Sequence, residues 1–227
     1  MNEMSSAMNI GRIEVATARN RIYALLATGF SYPDEAVFER LADGAYADEI
    51  AHALDICAAD LAGFFRDNVA PGLRIVASNK ELEAVYISAF ETNMPQPSVS
   101  LYEGSHHLQG DKPGLLLELK GFYRAFGLTM AESENDLEDS LVAELELMQF
   151  LTAKQAQAED GSLDKSPYLR AQKDFLERHL AAWLPSLLAD AEGKLNNPFY
   201  RALVVFANRF VASDTGTVER DVASLNV

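Results

Sequence analysis

The residue types in this chain that could do chemistry are four histidines, one cysteine and two close glutamates in an apolar run. His106 and His107 are adjacent, so on a regular element their rings point different ways, and neither sits in HExxH or a comparable ligand spacing; they read as a solvated loop pair. His179, in FLERHLAAWLP, falls near an expected helix end, where a histidine caps or packs. His52 has no motif around it. Glu144 and Glu146 are two apart and face different directions on a helix, unlike the Glu-x-x-His pairs of carboxylate-bridged metal sites. Cys57, in ALDICAADLAGFF, has no disulfide or metal-cluster partner within the chain and reads as a buried small hydrophobe. No Gly-rich phosphate loop, nucleophile elbow or dinucleotide fingerprint occurs. The reading is no catalytic residue, no metal, no cofactor and no enzyme.

The elements that must position any site are helices. The central one is expected over ENDLEDSLVAELELMQFL, Glu134 to Leu151, where Leu137, Leu141, Leu145, Met148 and Leu151 recur with the period of one buried stripe. Asn135 or Asp136 would cap it, and Glu138 and Asp139 would lie in its first turn, where the helix dipole favours negative charge. Before it, helices are expected over Ile13 to Phe30, Asp34 to Leu41, Ala47 to Phe65, Asn79 to Phe90 and Leu115 to Phe126. After it, one starts at Pro167 and runs through Leu180, the chain bends at Trp183 to Pro185, and Asn197 caps a last helix whose face is Phe199, Leu203, Phe206 and Phe210. Runs such as LRIVA are too short to be strands that set a fold. The sum is an all-α, single bundle-like domain of about eight to ten helices. Its parts are an N-terminal half (1–126), a hinge (127–135, GLTMAESEN), a C-terminal half (136–213) and a weakly held tail (214–227).

Composition narrows the partners. Nineteen basic against thirty-four acidic residues leave a formal charge of −15, which repels nucleic acid and anionic lipid and favours a cationic partner. No apolar run approaches the roughly 18 to 20 residues that span a bilayer, and the N-terminal stretch lacks the apolar core of a secretory signal, so the expected location is the cytoplasm. The segment ETNMPQPSVSLYEGSHHLQGDKPG, 91–114, is too long for a simple connector, and its Pro97, Leu101 and Tyr102 argue for an ordered loop laid on the core.

These pieces combine into a binding surface rather than a catalytic one. A helix ending in Tyr86 and Phe90, the loop with Pro97, Leu101, Tyr102 and Glu103, and the acidic helix start at Glu138 and Asp139 make an apolar groove with a carboxylate rim. Such a groove suits an apolar or amphipathic peptide with arginines at one end.

The same residues resemble a known family. Tyr86 to Phe90 as YxxxF, a proline-rich Met94 to Pro97, LYEGS at Leu101 to Ser105, EDSLVAELELM from Glu138, FLERHLAAWLPSLL from Phe175 and NPFYRAL from Asn197 occur in the order found in TorD/DmsD/NarJ-type redox-enzyme maturation chaperones. The branch serving type II enzymes of the dimethyl sulfoxide reductase family is the nearest in pattern, and the resemblance covers roughly Tyr86 to Phe210. It implies an all-helical cytoplasmic chaperone, not an enzyme, that binds the apo catalytic subunit of a molybdenum enzyme, often through its twin-arginine signal peptide, and holds it until the molybdopterin cofactor is inserted. The family's binding residues map onto Leu101, Tyr102 and Glu103 and onto Glu138 and Asp139. Where many members carry a histidine after that aspartate, this chain has Ser140. Some relatives swap halves through the hinge, which makes a domain-swapped dimer the alternative to the expected monomer. Two other functions compete: a helical metal-dependent hydrolase, which needs His106, His107 and carboxylates to converge, and a structural subunit of a redox complex, which needs a permanently apolar face.

Overall fold

The computed structural model describes residues 2–91, 99–106, 112–129, 137–159, 161 and 163–225, with side chains from residue 10 onward. Among these the regular elements are helical: α1 (Asn2–Phe30), α2 (Glu35–Ala42), α3 (Ala45–Cys57), α4 (Ala59–Phe64), α5 (Asn79–Tyr86), α6 (Lys112–Ala125), α7 (Leu141–Ala158), α8 (Ser166–Phe175), α9 (Ala181–Lys194) and α10 (Pro198–Ser224). The all-α reading holds. Pro97, His107, Asn135, Asp136 and most of the expected hinge lie outside the described residues.

Local chemistry explains most boundaries. Asp34 caps α2 by accepting from the Val37 amide at 2.9 Å, and Asn197 caps α10 through the Tyr200 amide at 3.2 Å, with Pro198 just inside, where its missing N–H is no loss. Ser78 and Glu81 form a reciprocal capping box at α5. The expected single helix over Ala47 to Phe65 is two, because the chain leaves helical dihedrals at Ala58 (φ −153°, ψ 60°). Three helices run on into π-helical turns, at Phe65–Val69, Ile87–Glu91 and Leu176–Leu180.

Three expectations need correction. The central helix begins at Leu141, not near Glu134, and its cap is Ser140, whose Oγ accepts from the Ala143 amide at 3.2 Å. Glu138 and Asp139 therefore lie in a turn ahead of the helix, and Leu137 is exposed rather than on the stripe. The helix does not stop and restart at Trp183 to Pro185, since Pro185 lies inside α9, in its second turn behind the π-helical turn, where the backbone ladder changes register. Nor is the expected tail loose from 214 to 224: α10 continues to Ser224, with Asp214 and Val218 buried.

The core is one contiguous apolar cluster from Ala18 to Val218. α1 packs along α7 and α3, and α10 packs on α9 and α8. Gly29 lets α3 and α10 side chains press on α1, because a Cβ there would stand 2.5 Å from the Tyr46 hydroxyl and 2.8 Å from Leu203 Cδ2. At the centre Arg19 is fully buried, and four of its five N–H protons are hydrogen-bonded. It donates to Asp214 (2.5 and 2.9 Å), Gln155 (2.8 Å) and Gln172 (2.7 Å), while Tyr23 donates to Asp214 at 2.6 Å. A buried ion pair is tolerable when nearly all of its protons find partners this way. Cys57 is half-buried against the core rather than enclosed, and burial pushes its thiol up to about 12.

Candidate functional site

The site forms where the LYEGS segment crosses the turn that precedes α7. Tyr102 and Ser140 pair as an isolated antiparallel bridge. The Glu103 amide donates to the Asp139 carbonyl at 2.8 Å, and the Leu141 amide donates to the Leu101 carbonyl at 2.8 Å. These bonds satisfy the backbone groups that a buried irregular segment would otherwise strand. Gly104 follows at the tightest point. Its amide donates to Asp139 Oδ2 at 3.2 Å, and a Cβ at that position would lie 2.8 Å from the same oxygen. Only glycine brings the strap this close.

Beneath the strap lies a cluster of polar side chains. Glu103 is fully buried and faces His179 Nδ1 at 3.1 Å, while His179 Nε2 faces Glu118 of α6 at 3.0 Å. The histidine thus links strap, α6 and the turn before α9, and only a ring protonated at both nitrogens donates to both carboxylates. Glu118 also pairs with Arg178. Glu144, on the first turn of α7, is fully buried and accepts from the Trp183 indole N–H at 2.9 Å. Burial pushes the Glu144 carboxyl well above the ordinary carboxylate range, and the neighbouring Glu103 charge pushes the same way. Trp183 in turn stacks on His106, with ring centroids 5.1 Å apart, and His106 Nε2 meets the Ser100 carbonyl at 2.9 Å.

This placement sorts the sequence-predicted residues. Leu101, Tyr102, Glu103, Glu138, Asp139 and Ser140 come together, but Glu103 and Asp139 are buried, not a rim, because the strap's own backbone closes over them. Glu138 is the partly exposed acid of the group, paired with Lys120 at 3.2 Å, and its carbonyl accepts from Tyr123 at 3.2 Å. Tyr86 and Phe90 are core, edge-on to Tyr200 at 5.9 and 5.1 Å, and do not floor an open groove. The cavity beside α5, about 740 Å³, is lined instead by Val85, Ser88 and Leu195 among others. His106 is not solvated: its side chain is 3% exposed. Among the described residues no group of three or more His, Cys, Asp or Glu is placed to hold a metal.

Glu144, His179, Trp183 and Lys112 are members of the site that sequence reading passed over. A signal existed for two of them. Glu144 stands three after Leu141 and four before Met148, and His179 stands four from both Phe175 and Trp183, so each is a polar residue on a buried stripe.

Comparison with known proteins places this arrangement in context. The family model described as nitrate reductase delta subunit matches residues 44–189. The chain is 50% identical over 211 residues to the perchlorate reductase assembly chaperone protein of Dechloromonas aromatica, covering 93% of this chain and 94% of that one. It is 35% identical over 163 residues to the selenate reductase assembly chaperone protein of Thauera selenatis, covering 72% and 71%. A crystal structure of a candidate redox enzyme maturation protein from Archaeoglobus fulgidus superposes with a TM-score of 0.50 at 16% identity, over 85% of this chain and 93% of that chain, a likeness of fold alone.

Proposed function

The chain belongs to the nitrate reductase delta subunit family, and from that premise we propose that it is an assembly chaperone for a molybdenum enzyme of the dimethyl sulfoxide reductase family. In this reading it binds the apo catalytic subunit in the cytoplasm, engages the twin-arginine signal peptide and holds the subunit until its molybdopterin cofactor is inserted. It acts as a monomer and performs no catalysis of its own. The observation that carries the proposal is the 50% identity across 93% of the chain to a relative named as an assembly chaperone.

The site supports a cationic, partly apolar partner. Leu117 of α6 is 69% exposed and Leu137 is 40% exposed, each close in sequence to one member of the Lys120–Glu138 pair, so large apolar side chains are open to a partner there. Asp139 and Glu103, buried at the strap, would attract the arginine end of a peptide, the chain's charge of −15 adding long-range attraction. Tyr102, Glu138 and Leu137 are the side chains that would touch the client, while Leu101, Glu103 and Ser140 shape the strap from beneath.

Isolation of the untagged chain from its own cells, with mass spectrometry of what accompanies it, tests this. A molybdenum-enzyme catalytic subunit is the expected companion, retained in its cofactor-free form. Recovery of the chain in the fully assembled, cofactor-loaded enzyme at fixed stoichiometry would instead make it a structural subunit.

A further inference from the structure

Asp139 is fully buried, yet its two oxygens are treated unequally. Oδ2 accepts from the Gly104 amide at 3.2 Å and has Lys112 Nζ 3.7 Å away, whereas Oδ1 has no hydrogen-bond partner among the described residues. Lys112 opens α6, and its side chain is 46% exposed. Its stem crosses the strap at Gly104, Cδ standing 3.5 Å from where a Cβ would be. The lysine thus marks a route from solvent to a buried acid.

It fills that route poorly. At 3.7 Å the ammonium is beyond hydrogen-bond length, it addresses one oxygen, and it remains a strongly hydrated point charge. An acceptor left unmet inside a protein is unfavourable, and a planar guanidinium, more weakly hydrated, can meet both oxygens of a carboxylate at once.

We propose that Lys112 is a built-in placeholder at Asp139, and that a guanidinium of the bound partner displaces it by taking both oxygens of that carboxylate. This rests on the arginine-bearing client proposed above. The displacement is easy because the lysine is half in solvent and its pair with Asp139 is correspondingly weak. The placeholder keeps the buried acid from standing alone in the free protein, and it excludes weakly competing cations such as single lysines, which gain nothing that Lys112 does not already supply.

The test is calorimetric titration of a synthetic peptide with two adjacent arginines ahead of an apolar stretch, alongside its Gln–Gln counterpart. The proteins are wild type, Lys112→Gln, Lys112→Arg and Asp139→Asn, each checked for unchanged folding by circular dichroism. Lys112→Gln should bind the Arg–Arg peptide about two- to five-fold tighter than wild type, the range expected when a half-exposed ion pair is removed as a competitor. Lys112→Arg should bind it more weakly, since an internal fork occupies both oxygens. Neither change should alter binding of the Gln–Gln peptide, and adding Asp139→Asn should erase the gain. If wild type prefers Arg–Arg but Lys112→Gln binds no tighter, the placeholder is refuted and the client reading stands. If wild type binds the two peptides equally, arginine recognition and the placeholder fall together.

Discussion

Trp183 donates its indole N–H to Glu144 at 2.9 Å, so a carboxyl buried on α7 is tied to the first turn of α9. Burial and the charge of Glu103 hold that carboxyl well above the ordinary range, which favours its protonated form in the folded state. For an acid raised in this way, the contribution to stability is fully present below the unfolded value, about 4.3, and is lost as pH rises through the folded one. Glu144→Gln keeps an acceptor for Trp183, supplies an N–H toward Glu103 and cannot ionise. It should be more stable than wild type at pH 8, with the difference shrinking toward pH 5. Glu144→Ala should be less stable by about 1 to 3 kcal/mol, because the buried indole N–H is left unmet. Denaturant unfolding of the three proteins at both pH values decides it, and a Gln variant that is no more stable at pH 8 would remove the ionisation argument.

Arg19 and Asp214 make the long α10 a structural necessity. The arginine's partners come from α7, α8 and α10 at once, so the pair closes the C-terminal helix onto the first. Asp214→Ala should lose about 3 to 5 kcal/mol, since it leaves a buried guanidinium without its counter-charge, while Arg19→Met with Asp214→Leu should recover much of that loss. Ending the chain at Ser213 should cost at least as much as the single variant, since buried Val218 is lost with Asp214, which thermal melts of all four proteins would reveal.

The helical class, the Asn197 cap and the stripe through Leu141, Leu145, Met148 and Leu151 were legible because each depends on neighbours three or four residues apart. The meeting of the LYEGS strap with the turn at Asp139 was legible only as a resemblance, since it joins residues about 35 positions apart through backbone bonds. What sequence reading assigned wrongly was side. An acid such as Asp139 is counted as surface unless something shows it closed over, and the closing group here is the backbone of Gly104, which carries no side-chain signal. Arg19, Glu144, His179 and Asp214 each stand in an apolar stripe, and a charge in that position is the readable mark of a buried network. Asp214 was discounted because the largely polar stretch that follows it, TGTVERD, outweighed the apolar period carried on by Val218.

Leu101 tests whether the strap and the core are one cooperative unit. It is 6% exposed, and its carbonyl holds the first amide of α7. Leu101→Ala should cost about 2 to 5 kcal/mol in a single unfolding transition. A separate low-temperature transition, or fast amide exchange at Glu103 and Leu141 in the parent, would show that the strap opens independently.

Asp139 and Glu138 are adjacent acids with different surroundings, and client binding should distinguish them. Glu138 has a side chain 13% exposed and is already paired with Lys120, so Glu138→Gln removes a charge that is partly neutralised and partly screened. Its effect on binding of an arginine-bearing client peptide should be under about 1 kcal/mol and should fade with added salt. Asp139 is enclosed, and any guanidinium that reaches it is stripped of water. Asp139→Asn keeps an oxygen for the Gly104 amide, so stability should change little, but it replaces one arm of a bidentate acceptor with an N–H donor pointing at the ligand. That variant should weaken peptide binding by about 1.5 to 3 kcal/mol, with a smaller dependence on salt, because a hydrogen bond to a buried charge is shielded from counterions. Titrations at two ionic strengths separate the two residues. Equal losses for both variants, vanishing together at high salt, would mean that the peptide senses Asp139 only as part of a diffuse negative field and never enters beneath the strap.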